Sequence, residues 1–114
     1  MDIAGINVEY VDVDDALKRI GGNMDLLKRL LGRFLAGDHI EPLEKAFQNG
    51  DMEEASRLIH TLKGVSANLS LIKLRDVSVE IEHSIKDGHD CSGLMAELKL
   101  ALDVTAENIT KITG

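Results

Sequence analysis

In a 114-residue chain with four histidines and one cysteine, few side chains can attack, bind a metal or move a proton. One stretch gathers them: His60-Thr61-Leu62-Lys63-Gly64. An ordinary imidazole pKa of ~6.5 leaves a ring nitrogen with a free lone pair near neutral pH, so a histidine can act as a nucleophile without a separate base. Lys63 brings positive charge one helical turn away. Further along, Glu80-Ile81-Glu82-His83 adds two carboxylates and another imidazole, and His89 with Cys91 forms a weak His-x-Cys pair. The lone Cys91 has no internal disulfide partner.

These residues do chemistry only if the chain holds them in place, and the apolar spacing supplies helices throughout. Asp12 caps a short helix that ends near Gly21, with Asp14 and Asp15 at its positive end and Lys18 and Arg19 at its negative end. Asn23 caps a second helix with Met24, Leu27, Leu31, Phe34 and Leu35 on one face. The apolar phase slips at Gly37–Asp38, and Leu43, Ala46 and Phe47 begin a rotated stripe, which predicts a break between Gly37 and Pro42. Asn49-Gly50-Asp51 reverses the chain into a third helix over 51–68. Ser70 is the expected cap of a fourth helix carrying Leu74, Val77, Ile81 and Ile85, and Ser92 that of a last one carrying Leu94, Leu98, Ala101, Leu102, Thr105, Ile109 and Ile112. No alternating strand pattern appears. The fold expected is all-α: an antiparallel four-helix bundle with a short additional N-terminal helix, over 12–114, after a lead-in at 1–11.

On a wheel of the third helix centred on Leu62, His60 lands about 160° away, on the solvent side. Its neighbours one turn away are Ser56, Arg57, Lys63 and Gly64, with Ala67 beyond. Gly64 inside a strongly periodic helix costs ~1 kcal/mol relative to alanine. On an outer face nothing of its own chain needs that space, whereas a partner surface would. Arg57, Lys63, Arg75 and Lys86 gather positive charge near His60, suited to an anionic substituent or an acidic partner. If the third and fourth helices turn at Leu69–Leu71, Glu82 lies level with His60, in a row with Arg75, Val79 and Lys86. Its carboxylate is placed to accept the Nδ1 proton and leave Nε2 free.

The formal net charge of −7 opposes nucleic-acid binding, which needs clustered Lys and Arg, and opposes anionic membranes. No stretch approaches the ~18 apolar residues of a membrane span, so a cytoplasmic location is expected.

His60-Thr61-Leu62-Lys63-Gly64, then Val65-Ser66-Ala67-Asn68-Leu69 and Glu80-Ile81-Glu82, resembles the histidine phosphotransfer (HPt) domain family of two-component phosphorelays. The segment from Gly5 through Val13-Asp14-Asp15-Ala16-Leu17 to Ile20-Gly21-Gly22-Asn23 resembles the lead-in of HPt domains attached to hybrid sensor kinases. The resemblance covers nearly the whole chain. It implies phosphorylation of His60, Lys63 stabilising phosphoryl charge, Gly64 admitting the partner and Glu82 orienting the ring. It departs at Ser70, where many members have glycine.

The same resemblance implies a phosphoryl carrier without its own kinase domain. Its partner would be the receiver domain of a response regulator, of a hybrid sensor histidine kinase, or of both. The cofactor, Mg²⁺, would reside in that receiver, with none in this chain, and a monomer is expected. Two rival readings use the same residues: a helical interaction adaptor without chemistry, and a metal-binding bundle. The second needs a Glu-x-x-His element on two helices, and only Glu80–His83 provides one.

Overall fold

A computed structural model describes residues 5–114; the part of the expected lead-in before Gly5 lies outside the described residues. The chain forms α1 (Val13–Arg19), α2 (Met24–Ala36), α3 (Glu41–Gln48), α4 (Met52–Asn68), α5 (Ile72–Lys86) and α6 (Ser92–Thr113), with no strand among the described residues. α4 packs on α5, α5 on α6, α2 on α6 and α3 on α4. The ring therefore closes with α2 and α3 sharing one of four bundle positions, and α1 rests on α2. Leu27, Leu31, Leu43, Ile59, Leu74, Ile81, Leu98 and Ile109 form the center of a continuous buried core.

The helix starts follow from side-chain chemistry. Asp12, Asn23 and Asp51 each accept the amide three residues on, satisfying donors that a first helical turn leaves open. The chain breaks between α2 and α3, as the phase slip requires. There Asp38 accepts the amides of Ile40 and Glu41, and His39 stacks on Phe34 and bonds its backbone oxygen through Nε2 at 2.7 Å.

Two expected caps are corrected. α5 begins at Ile72, and its capping position, Leu71, offers no side-chain hydrogen bond. Ser70 sits in the left-handed region at φ 55°, closing α4, and its hydroxyl donates to Asp15 at 2.6 Å. That backbone conformation is the reason glycine suits this position. Ser92 is the first residue of α6, and its amide and hydroxyl both donate to Asp90.

The described lead-in is bonded to the bundle end that carries the α4–α5 turn. The Asn7 amide donates to Asn108 Oδ1, the Asp12 amide to the Ser70 carbonyl, and the Lys73 amide to the Glu9 carbonyl, while Val11 is buried.

Inside α6, Thr105 is fully buried and its hydroxyl has no hydrogen-bond partner among the described residues. A buried hydroxyl without a partner forfeits its hydration. Thr105→Val keeps the shape and removes the polar atom, so it is expected to stabilise the fold by about 1 kcal/mol. Denaturant titration checks this, and a loss of stability would mean that the hydroxyl is bonded.

Candidate functional site

α4 is held from both sides, and the burial along it fixes where His60 points. Ala55, Ile59, Leu62, Ser66 and Leu69 are buried, whereas Leu58 and Val65 are only half-buried. The buried stripe is thus rotated toward Ile59 and Ser66 relative to a wheel built on apolar residues alone. Ser66 fits inside because its hydroxyl donates to the Leu62 carbonyl at 2.7 Å, and Ser78 of α5 does the same to Leu74. Small buried side chains on both helices permit close packing of α4 on α5.

That packing sets His60 level with Glu82. The His60 side chain is 71% exposed, and its Nδ1 lies 2.9 Å from Glu82 Oε2. With the carboxylate as acceptor, Nδ1 carries the proton and Nε2 presents its lone pair to solvent. The sequence wheel placed both residues on this face, and they meet there.

Lys63 was expected near His60, and the sequence did not reveal what it binds. Its ammonium donates to Glu82 Oε1 at 2.7 Å, so one carboxylate holds the lysine and the imidazole, one on each oxygen. Lys63 is 29% exposed and Glu82 22%. Rotation of the buried stripe explains the pair: position 63 is swung toward α5. A periodicity argument gives the face of a residue but not its partner across a helix interface.

The carboxyl of Glu82 is held below its usual range, first by the Lys63 hydrogen bond and next by that of His60, against an opposing effect of burial. A lowered folded-state pKa gives stability that is present above the unfolded value and lost as pH falls through the folded one. Wild type is therefore expected to exceed Glu82→Gln in stability at neutral pH, and the gap should shrink below about pH 4.5, the ordinary glutamate value. Urea melts of both proteins from pH 7 to pH 3 measure it. A gap that stays constant with pH would show that the ionised carboxylate contributes nothing.

The wider basic cluster is weaker than its composition. Arg57 is paired with Glu54 and Arg75 with Asp76, so each carries its own counterion. Lys86 is exposed, Ser56, Ala67 and Val79 are half-buried, and Gly64 is exposed. A Cβ built on Gly64 would meet nothing within 4 Å.

Cys91 is buried, and burial followed by the charge of Asp90 pushes its thiol up, away from the reactive thiolate. Among the described residues no group of three or more His, Cys, Asp or Glu side chains is placed to hold a metal ion. No helix is long and apolar enough to cross a membrane.

A family model described as Hpt domain matches residues 29–108. No curated protein matches the chain, and no solved structure does.

Proposed function

The chain belongs to the HPt domain family, phosphoryl carriers of two-component signalling rather than kinases, and from that premise we propose that His60 accepts a phosphoryl group and exchanges it with an aspartate of a receiver domain. The observation that carries this reading is a single imidazole, mid-helix and open to solvent, with Nδ1 fixed by Glu82 so that Nε2 is the free atom.

In the proposed reaction the Nε2 lone pair attacks phosphorus in line. The bond between phosphorus and the partner's aspartyl oxygen breaks, and its electron pair returns to that carboxylate. Transfer onward reverses this: a carboxylate oxygen attacks, the P–Nε2 bond breaks, and imidazole leaves with its proton still on Nδ1. Throughout, Glu82 holds the ring in one tautomer and one orientation. Phosphoryl transfer asks chiefly for positioning and charge neutralisation. Lys63 contributes neutralisation when its ammonium turns from Glu82 Oε1 toward the phosphoryl oxygens. Mg²⁺ bound in the receiver would supply the rest, with no cofactor held by this chain. Ser56, Arg57, Gly64, Ala67, Arg75, Val79 and Lys86 surround His60 as the docking surface. The receiver belongs to a response regulator or a hybrid kinase, in the cytoplasm, and the closed bundle acts as a monomer.

The test is transfer from a panel of labelled receiver domains, with acid-labile, base-stable label on this protein as readout. Label on no histidine from any receiver would reject the reading. In the same assay Glu82→Ala is expected to slow transfer about tenfold without stopping it, equivalent to ~1.4 kcal/mol of lost positioning. An unchanged rate would remove the orienting role.

A further inference from the structure

Two serines lie in the interface beneath the Lys63–Glu82 ion pair. At about 100° per residue, Ser78 is the buried residue of α5 nearest to Glu82 on the helix wheel, about 40° round and one turn back. On α4, Ser66 stands about 60° from Lys63, three residues on, and is buried as well. Each serine therefore lies between one member of the ion pair and the core, on the side where α4 packs on α5. Because His60 is level with Glu82 and the helices run antiparallel, Ser78 comes level with Gly64, under the ion pair. Both serines are fully buried, and their hydroxyls stay within their own helices. Ser66 donates to the Leu62 carbonyl and Ser78 to the Leu74 carbonyl, each at 2.7 Å. What the interface receives from them is small size.

Resting on the reading of His60 as phosphoryl acceptor, we propose that Ser78 and Ser66 are positioning residues that set the α4–α5 spacing at which Glu82 keeps the His60 proton on Nδ1. Two contacts span the helices here, Lys63 Nζ to Glu82 Oε1 at 2.7 Å and His60 Nδ1 to Glu82 Oε2 at 2.9 Å. Neither has length to spare, since a hydrogen bond of this kind is lost beyond about 3.5 Å. A methyl group added at a fully buried position has no solvent to enter, so the helices must part or side chains must leave their rotamers. Lysine, on its flexible four-carbon stem, follows a displaced carboxylate; the short, two-torsion histidine side chain cannot follow as far. Parting the helices by about 1 Å therefore breaks the His60 contact first and leaves Lys63 on Glu82. The ring proton is then free to move to Nε2, the atom whose lone pair the transfer needs. Size at positions 78 and 66 reaches the chemistry through the tautomer, without either serine touching the ring or the phosphoryl group.

The experiment separates size from polarity. Ser78→Thr keeps the hydroxyl and adds a methyl group, whereas Ser78→Ala removes the hydroxyl and adds nothing; Ser66→Thr and Ser66→Ala repeat the comparison on α4. The tautomer is read from the ring-nitrogen NMR shifts of His60 in the full isotope-labelled chain, at about pH 9, where an ordinary imidazole is neutral. Wild type and both alanine variants should carry the proton on Nδ1. Both threonine variants should share it with Nε2, Ser78→Thr more than Ser66→Thr. In transfer from whichever receiver domain serves wild type fastest, Ser78→Thr should lower kcat about fivefold and leave KM within about twofold, because the exposed surface is unchanged. Ala101→Val overpacks the core from α6, and as the control for strain alone it should keep the wild-type tautomer and kcat. A wild-type tautomer in Ser78→Thr overturns the proposal. So does a displaced proton in Ser78→Ala, which would make the hydroxyl the cause, or an equal displacement in Ala101→Val. If Ser78→Thr does not fold, Ser66→Thr decides by the same outcomes. Failure of the underlying function looks different: wild type would take label from no receiver, while the tautomer series would still decide whether the serines position the ring.

Discussion

His60→Ala is expected to fold as wild type does and to take up no phosphoryl group. The side chain is 71% exposed, and its recorded polar contact is the one to Glu82. Removing it leaves no buried charge without a partner, because Lys63 keeps hold of Glu82 Oε1. Exposed substitutions of this kind cost less than ~0.5 kcal/mol. Uptake should fall to background, since a methyl group has no lone pair to offer phosphorus. The comparison is a thermal melt beside acid-labile labelling, with His83→Ala and His89→Ala as exposed histidines that retain labelling. Label on His60→Ala at the wild-type level would move the acceptor elsewhere. A large drop in melting temperature would instead mean that the ring supports the fold.

The prominence of His60 was legible because two periodic helices and one tight turn determine it. The spacing of α4 puts position 60 outside, and the reversal at 69–71 sets Glu82 opposite. Charge capture was less legible. Arg57 and Arg75 read as free cations near the site, yet each is bound by an acidic neighbour three or one residues away. Local ion pairs of this kind form wherever the rotamers meet, and composition does not foretell them.

Serines carry two features that an apolar stripe does not report. Ser66 and Ser78 are polar and uncounted in that stripe, yet each is fully buried with its hydroxyl on the carbonyl one turn back. A serine before a helix is a common cap, yet Ser70 takes up a left-handed turn and spends its hydroxyl on Asp15, tying the α4–α5 turn to α1. The buried serines matter for the site. By occupying the α5 side of α4 they turn Lys63 toward Glu82 and leave Val65 uncovered on the other side.

Replacing Gly64 should move stability and transfer in opposite directions. Gly64 is exposed in mid-helix, and an added Cβ meets nothing within 4 Å. Alanine there restricts the unfolded chain more than it strains the folded one, so Gly64→Ala should stabilise by up to ~1 kcal/mol. Gly64→Leu should keep much of that gain, because the surrounding space is solvent. Exposure of a helical glycine does not by itself mark a site: Gly32 in α2 is equally exposed and equally open. What distinguishes Gly64 is its position one turn from His60, on the side opposite the Lys63–Glu82 pair. A leucine there stands where a receiver must approach for its aspartate to lie in line with Nε2. Displacing reacting groups by even ~1 Å costs on the order of a hundredfold in rate. Transfer should therefore fall by that order in Gly64→Leu and less in Gly64→Ala, with melting temperature held or raised in both. Gly32→Leu, far from the ring, should share the stability and keep the wild-type rate. Strong destabilisation of Gly64→Leu would place position 64 against its own chain, and normal transfer in a stable Gly64→Leu would move the docking face away from it.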